Sequence, residues 1–300
     1  MIYLALGDSI THGYDASDEE HRFVTVLTRR LNNVERTSMY LQAKPGWTAA
    51  QLLRSLDKVP ECVVAEAAVI TLMIGGNDLL KAMPWFLDDE EVGRRKLRES
   101  FLPTVRAIVE RMKKNPDAVF MICTVYNPFP KSDLAQRAIS ELNGLLGEAA
   151  AEYSCVTVPV DEWYGGEEDT LVNRYKRGEL QDFRLLRNPI HPNDKGHERI
   201  AKAIFDTYMG IRGQRNVRRQ GGPSRLLDRD LARAPNHRIG RGGRKTSGVR
   251  MRRQRRLRRQ TGQRMQQAGQ RTQNSAVATA RTRVPILGKH ESTLDMGKRK

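Results

Sequence analysis

Five short apolar runs punctuate the first 211 residues: Ile2–Leu6, Ser38–Leu41, Ala67–Ile74, Ala118–Thr124 and Cys155–Val158. Their apolar residues are continuous rather than alternating, the pattern of strands covered on both faces. Between the runs the period becomes that of a helix. Phe23, Val26, Leu27 and Leu31 share one face, as do Leu97, Phe101, Val105, Ile108 and Met112, and then Leu134, Ala138, Leu142, Leu145 and Ala149. Pro103 falls inside the second of these and predicts a kink or a later start. A last helix is predicted from about Asp194 to Met209, packing through Ile200, Ile204 and Tyr208.

Alternation of strand and helix implies a parallel sheet with helices on both faces, because parallel neighbours need crossover connections. Ligands of such sheets bind at the carboxyl ends of the strands. That directs attention to the residues at the ends of three runs: Gly7-Asp8-Ser9, Gly75-Gly76-Asn77-Asp78 and Tyr126-Asn127-Pro128-Phe129.

The pattern stops near Arg212. Residues 1–211 hold 26 Lys and Arg against 31 Asp and Glu, a net of −5, whereas residues 212–300 hold 26 against 4, a net of +22. Every Phe, Trp, Tyr and Cys precedes residue 212. The chain therefore divides into a folded domain, 1–211, and a basic low-complexity tail, 212–300, which has nothing large to build a core with and is expected to be disordered. Such a tail implies salt-sensitive, non-specific contact with nucleic acid or another anionic surface, since it carries neither aromatic platforms nor a recognition motif. Its abrupt onset equally resembles translation in another reading frame.

The first apolar run is too short, and lacks the basic flank and cleavage site, for a signal peptide. No stretch approaches the roughly 18 apolar residues of a membrane span. A cytoplasmic location is the expectation. Cys62, Cys123 and Cys155 are odd in number and widely spaced, which suits free thiols.

A serine attacks an ester only when a base takes its proton and fixed donors hold the oxyanion. Ser9 is placed to attack, with Gly7 and Gly13 letting the turn expose it, and His191 lies just before the last helix as a candidate base. Gly46 can bring a backbone N–H close to a ligand, and Asn77 offers an amide. Asp8 reads as a turn-stabilising acceptor. His191, Asp194 and His197 raise the question of a metal, but no second cluster accompanies them and His197 falls on a face expected to be solvated. Neither metal nor cofactor is expected. Trp47, Trp85, Phe86 and Phe129 come shortly after the motif loops and either wall an acyl pocket or pack in the core.

Four blocks, GDSI with Ser9, a glycine at Gly46, GGND with Asn77 and IHPN with His191, occur in this order over residues 1 to about 210. Together they resemble the SGNH (GDSL) hydrolase superfamily, and Tyr126-Asn127-Pro128-Phe129-Pro130 resembles a segment of its bacterial esterase- and lysophospholipase-like members. The resemblance implies a flavodoxin-like three-layer α/β/α sandwich and metal-free hydrolysis of small or short-chain acyl esters through an acyl-enzyme. It makes Ser9 the nucleophile and His191 the base and then the acid. The Ser9 N–H, the Gly46 N–H and the Asn77 side chain become the oxyanion hole. No G-x-S-x-G elbow occurs, which argues against an α/β-hydrolase fold.

One position departs from the pattern. Three residues before the histidine, where the superfamily usually has an aspartate, stands Asn188. An asparagine accepts an imidazole N–H but brings no negative charge, and the equivalent change in a serine protease lowers turnover by about 10⁴. Three readings are open. His191 is held by a backbone carbonyl or by Asp182; the enzyme is slow; or the domain is inactive and the basic tail binds anionic partners.

Overall fold

Each apolar run is a strand. The computed structural model describes residues 1–183 and 188–220, the last five by backbone alone. The strands β1 (Ile2–Gly7), β2 (Ser38–Ala43), β3 (Ala67–Met73), β4 (Val119–Cys123) and β5 (Val156–Val158) form one all-parallel sheet in the order β2-β1-β3-β4-β5. This is the flavodoxin-like order, whose direction of winding reverses between β1 and β3. Burial on both faces holds for β1, β3 and β4, while the edge strand β2 is half exposed because only one neighbour covers it.

The helices are α1 (Ser9–His12), α2 (Phe23–Asn32), α3 (Ala49–Ser55), α4 (Glu61–Glu66), α5 (Gly76–Asp88), α6 (Glu90–Met112), α7 (Asp133–Glu152), α8 (Val160–Tyr164), α9 (Glu168–Leu171) and α10 (Asp194–Gln220). Successive strand residues point to opposite faces, and the core divides accordingly. Leu4, Leu6, Ile70, Leu72, Phe120 and Ile122 pack with α3 to α7 on one side. Tyr3, Ala5, Val69, Met73, Met121 and Cys123 pack with α2, α8, α9 and α10 on the other. The result is a three-layer α/β/α sandwich.

Three departures from the sequence expectations have physical causes. Pro103 does not mark the start of α6, which begins at Glu90 and runs through it; the missing N–H is tolerated within a helix whose Leu97, Phe101, Val105 and Ile108 are buried in the core. Helix α5 is not foreseen in the sequence pattern, since Pro84 and its run of aromatics obscure the period. Helix α10 continues past Met209 to Gln220, across the expected boundary at residue 212, because the Arg and Gln residues of that stretch favour a helix despite Gly210 and Gly213. The expected disorder and nucleic-acid contact of the tail fall largely on residues 221–300, outside the described residues. Among the described residues no helix is long and apolar enough to cross a membrane, and Cys62, Cys123 and Cys155 are free.

One polar pair is sealed inside the second core. The Tyr3 hydroxyl lies 2.9 Å from the Thr71 hydroxyl, linking adjacent strands β1 and β3. Removing one partner strands the other, whereas removing both does not. Tyr3→Phe should therefore cost about 1–2 kcal/mol, and adding Thr71→Val should recover part of that loss, as read in a urea-denaturation double-mutant cycle. Strictly additive losses would show that the pair is not coupled.

Candidate active site

Strand β1 ends at Gly7, and the chain turns at once into α1, with the Asp8 carboxylate accepting the Ile10 N–H at 3.1 Å as N-cap. Asp8 is thus a turn-stabiliser. The short helix closes at Gly13, whose φ of +88° is the left-handed conformation that glycine adopts at least cost. Ser9 is the first helical residue and is nearly buried, at 8% exposure.

His191 arrives from the opposite end of the domain. Its segment is fixed by the Tyr126 hydroxyl donating to the Ile190 carbonyl at 2.7 Å, by the Asn173 N–H donating to the His191 carbonyl at 2.8 Å, and by the Asn193 N–H donating to the Leu171 carbonyl at 2.9 Å. Asn193 then caps α10 by accepting the Gly196 N–H. So held, His191 Nε2 stands 3.0 Å from Ser9 Oγ. Burial is the main influence on the imidazole and lowers its pKa below the ordinary value; Asp15 opposes this and Arg174 reinforces it. The neutral form that can accept a proton is therefore favoured.

The carboxylate facing the other ring nitrogen belongs to a residue that sequence reasoning missed. Asp15 Oδ2 lies 3.6 Å from His191 Nδ1 and 3.2 Å from Arg174 Nη1. Asp182 does not fill that role, because its Oδ2 accepts the backbone N–H groups of Arg177, Gly178 and Glu179. Asn188 is half-buried next to the segment 184–187. Nothing in the local pattern of residues 13–17 marks Asp15, whose place is set by the fold of the loop.

Ser9, Asn77 and His191 line one cavity of about 190 Å³, whose remaining walls are largely apolar and include Leu79, Leu80, Met83, Phe129, Ile139 and Phe183. The Asn77 amide is oriented by donating to the Trp47 carbonyl at 2.9 Å, which leaves its second N–H for another acceptor. Gly46 is not among the lining residues. It occupies the turn before Trp47 with φ +81°, a backbone requirement rather than one of space, since a Cβ there would meet nothing within 4 Å. The Asp78 carboxylate accepts the Ala49 N–H at the start of α3.

Of the four aromatic candidates, Phe129 alone lines the cavity. Phe86 packs against Gly93, Trp85 is exposed, and Trp47 packs on the first core. His197 is also displaced from expectation: it is fully buried, stacked on Phe23, and its pKa is pushed down to about 4 by burial. Asp194 accepts the Ser17 N–H. Among the described residues no group of three His, Cys, Asp or Glu is arranged to hold a metal ion.

A serine, a histidine and an amide gather on an apolar cavity at the carboxyl edge of a three-layer α/β/α sandwich, an arrangement suited to ester hydrolysis. The chain belongs to the GDSL-like lipase/acylhydrolase family, whose model matches residues 5–199, and is a carboxylic ester hydrolase. It is 26% identical over 216 residues to the spore germination lipase LipC of Bacillus licheniformis, an alignment spanning 68% of this chain and 94% of that protein. Its fold is similar to that of the lipase Lip_vut3 from a goat rumen metagenome (TM-score 0.56, 24% identity, 69% of this chain and 97% of that one). It is similar also to the acetylxylan esterase Axe2 of Geobacillus stearothermophilus (TM-score 0.51, 18% identity, 69% and 93%).

Burial pushes the Asp8 carboxyl up from 3.8 to about 7, with the Ile10 N–H opposing and the Asp78 charge adding to the rise. The folded state then holds a proton that the unfolded chain has lost, so this contribution to stability is full below about pH 4 and is lost as the pH rises through 7. Asp8→Asn keeps the capping acceptor and removes the titration. It should raise stability at pH 8 by an amount of order 1–3 kcal/mol and much less at pH 5, measured by thermal melts. An equal effect at both pH values would contradict the assignment.

Proposed function

We propose that the protein is a serine-dependent hydrolase of small or short-chain acyl esters. The observation that carries this reading is the 3.0 Å contact between Ser9 Oγ and His191 Nε2 on the wall of an apolar cavity. Ser9 Oγ attacks the acyl carbon while its proton passes to Nε2, and the carbonyl π pair moves to oxygen. The Ser9 N–H and the second Asn77 N–H receive that oxyanion. Its collapse breaks the bond to the alcohol oxygen, which leaves with the proton from Nε2. Water repeats the sequence on the acyl-enzyme, its proton going to Nε2 and then to Ser9 Oγ as the carboxylic acid departs.

The lining of the cavity supports the substrate class. Leu79, Leu80, Met83, Phe129, Ile139 and Phe183 offer an acyl chain apolar contact and little to hydrogen-bond, and each buried methylene contributes about 0.8 kcal/mol. The limited volume sets an upper bound on chain length. The acetylxylan esterase and lipase among the similar proteins both carry acyl-ester names, and the cavity walls favour an aliphatic acyl group over an acetyl group.

With p-nitrophenyl esters from acetate to laurate, kcat/KM of the full chain should rise over the first few methylenes and fall for laurate. Ser9→Ala should lower it at least about 10³-fold. The acid limb of kcat/KM should have its midpoint below the ordinary histidine value of about 6.5, since burial of His191 lowers its pKa. Unchanged hydrolysis by Ser9→Ala would refute the serine mechanism.

A further inference from the structure

The departure at Asn188 leaves open which group steadies the imidazole, and the geometry on the Ser9 side of the site offers an answer. We propose that Asp15 is the positioning acid of this enzyme, its carboxylate lying 3.6 Å from His191 Nδ1 and supplying, from the loop after α1, the negative charge that steadies His191. The inference rests on the Ser9 and His191 roles proposed above.

Four observations support it. Asp15 Oδ2 sits on the side of the ring opposite Ser9, so the order serine, imidazole, carboxylate is complete. The Asp15 side chain is only 10% exposed, so water screens the charge weakly. The loop is tied down on both sides of Asp15: the Tyr14 N–H donates to the Ser9 carbonyl at 2.9 Å, the Ala16 N–H to the Gly13 carbonyl at 3.2 Å, and the Ser17 N–H to Asp194 at 2.8 Å. Finally, Asp15 and its partner Arg174 hold left-handed backbone conformations, with φ of +69° and +57°. Only one other non-glycine among the described residues, Ser154, does so. Such conformations persist where surrounding contacts impose them, and they gather at functional sites.

The 3.6 Å separation is a charge contact rather than a hydrogen bond. Catalytic contacts of this kind are commonly long at rest and tighten as the imidazolium forms. Arg174 shares the same carboxylate oxygen and holds it in place from the turn after α9. Arg174 opposes the charging of His191, but more weakly than Asp15 favours it. Among the described residues, the other charged or titratable groups near the ring include Tyr14, whose ring centroid lies 4.7 Å from that of the imidazole, Asp8, which lines the same cavity, and His197 on α10. None of these changes in the test.

Asp15→Asn is close to isosteric, and asparagine tolerates the left-handed conformation as aspartate does, so the loop should persist and the thermal midpoint should hold. On p-nitrophenyl butyrate, kcat of the full chain should fall about 10²-fold with KM within threefold, less than the loss of about 10⁴ that accompanies removal of a directly bonded acid. The acid limb of kcat/KM should move to lower pH, because the imidazolium loses its neighbouring anion. A fall in kcat with an unmoved limb means a structural role only and overturns the proposal, as does an unchanged kcat. Ser9→Ala, run in parallel, separates the failures. If it is inactive while Asp15→Asn is unaffected, the assignment to Asp15 falls alone; if it too remains active, the serine mechanism falls with it.

Discussion

Five strands running parallel place every strand's carboxyl end on one edge of the sheet, and the rest of the molecule is organised by that constraint. Winding reverses between β1 and β3, so the loops leaving these two neighbours turn to opposite faces and open a crevice between them. Ser9 comes after β1 and Asn77 after β3, so the serine and the amide face one cavity although they lie far apart in the chain. His191 comes to the same crevice through Tyr126, which lies beyond β4 and donates to the Ile190 carbonyl. The hydrogen bond between His191 and Ser9, groups 182 residues apart, is a product of the parallel topology rather than of any local motif.

The electrostatics of the crevice arise from how little water reaches it. Burial lowers the His191 pKa and raises that of Asp8, so an imidazole without charge and a carboxyl near neutrality stand within one cavity. A neutral imidazole is the form that can accept the serine proton, and the same low-dielectric surroundings strengthen any charge contact once the imidazolium exists. Asp15 is the carboxylate so placed, with Arg174 on its far side. Strain in the backbone of Asp15 is sustained by a loop anchored to α1 and α10.

Much of this is written in local patterns. Strands buried on both faces are legible as continuous apolar runs, and the residues after β1 and β3 are legible as chemistry because their spacing places them at strand ends. The cavity is less legible. Leu79, Leu80 and Met83 face it from α5 while Trp85 turns to solvent and Phe86 to the core, a matter of helix phase that sequence proximity to the motif does not reveal. Asp15 is invisible in the same way: its side chain meets His191 only after β1 and the segment ahead of α10 have been brought together. The far end of α10 is masked by its charge, since an Arg-rich stretch reads as tail even where it continues a helix.

The central claim is that Ser9 is activated by His191, and covalent capture tests it most directly. Incubating the full chain with an alkyl fluorophosphonate and mapping the adduct by peptide mass spectrometry should show a single phosphonylated residue, Ser9. His191→Ala should react far more slowly, because the hydroxyl then has no base. Labelling at another residue, or equal labelling with and without His191, would contradict the account.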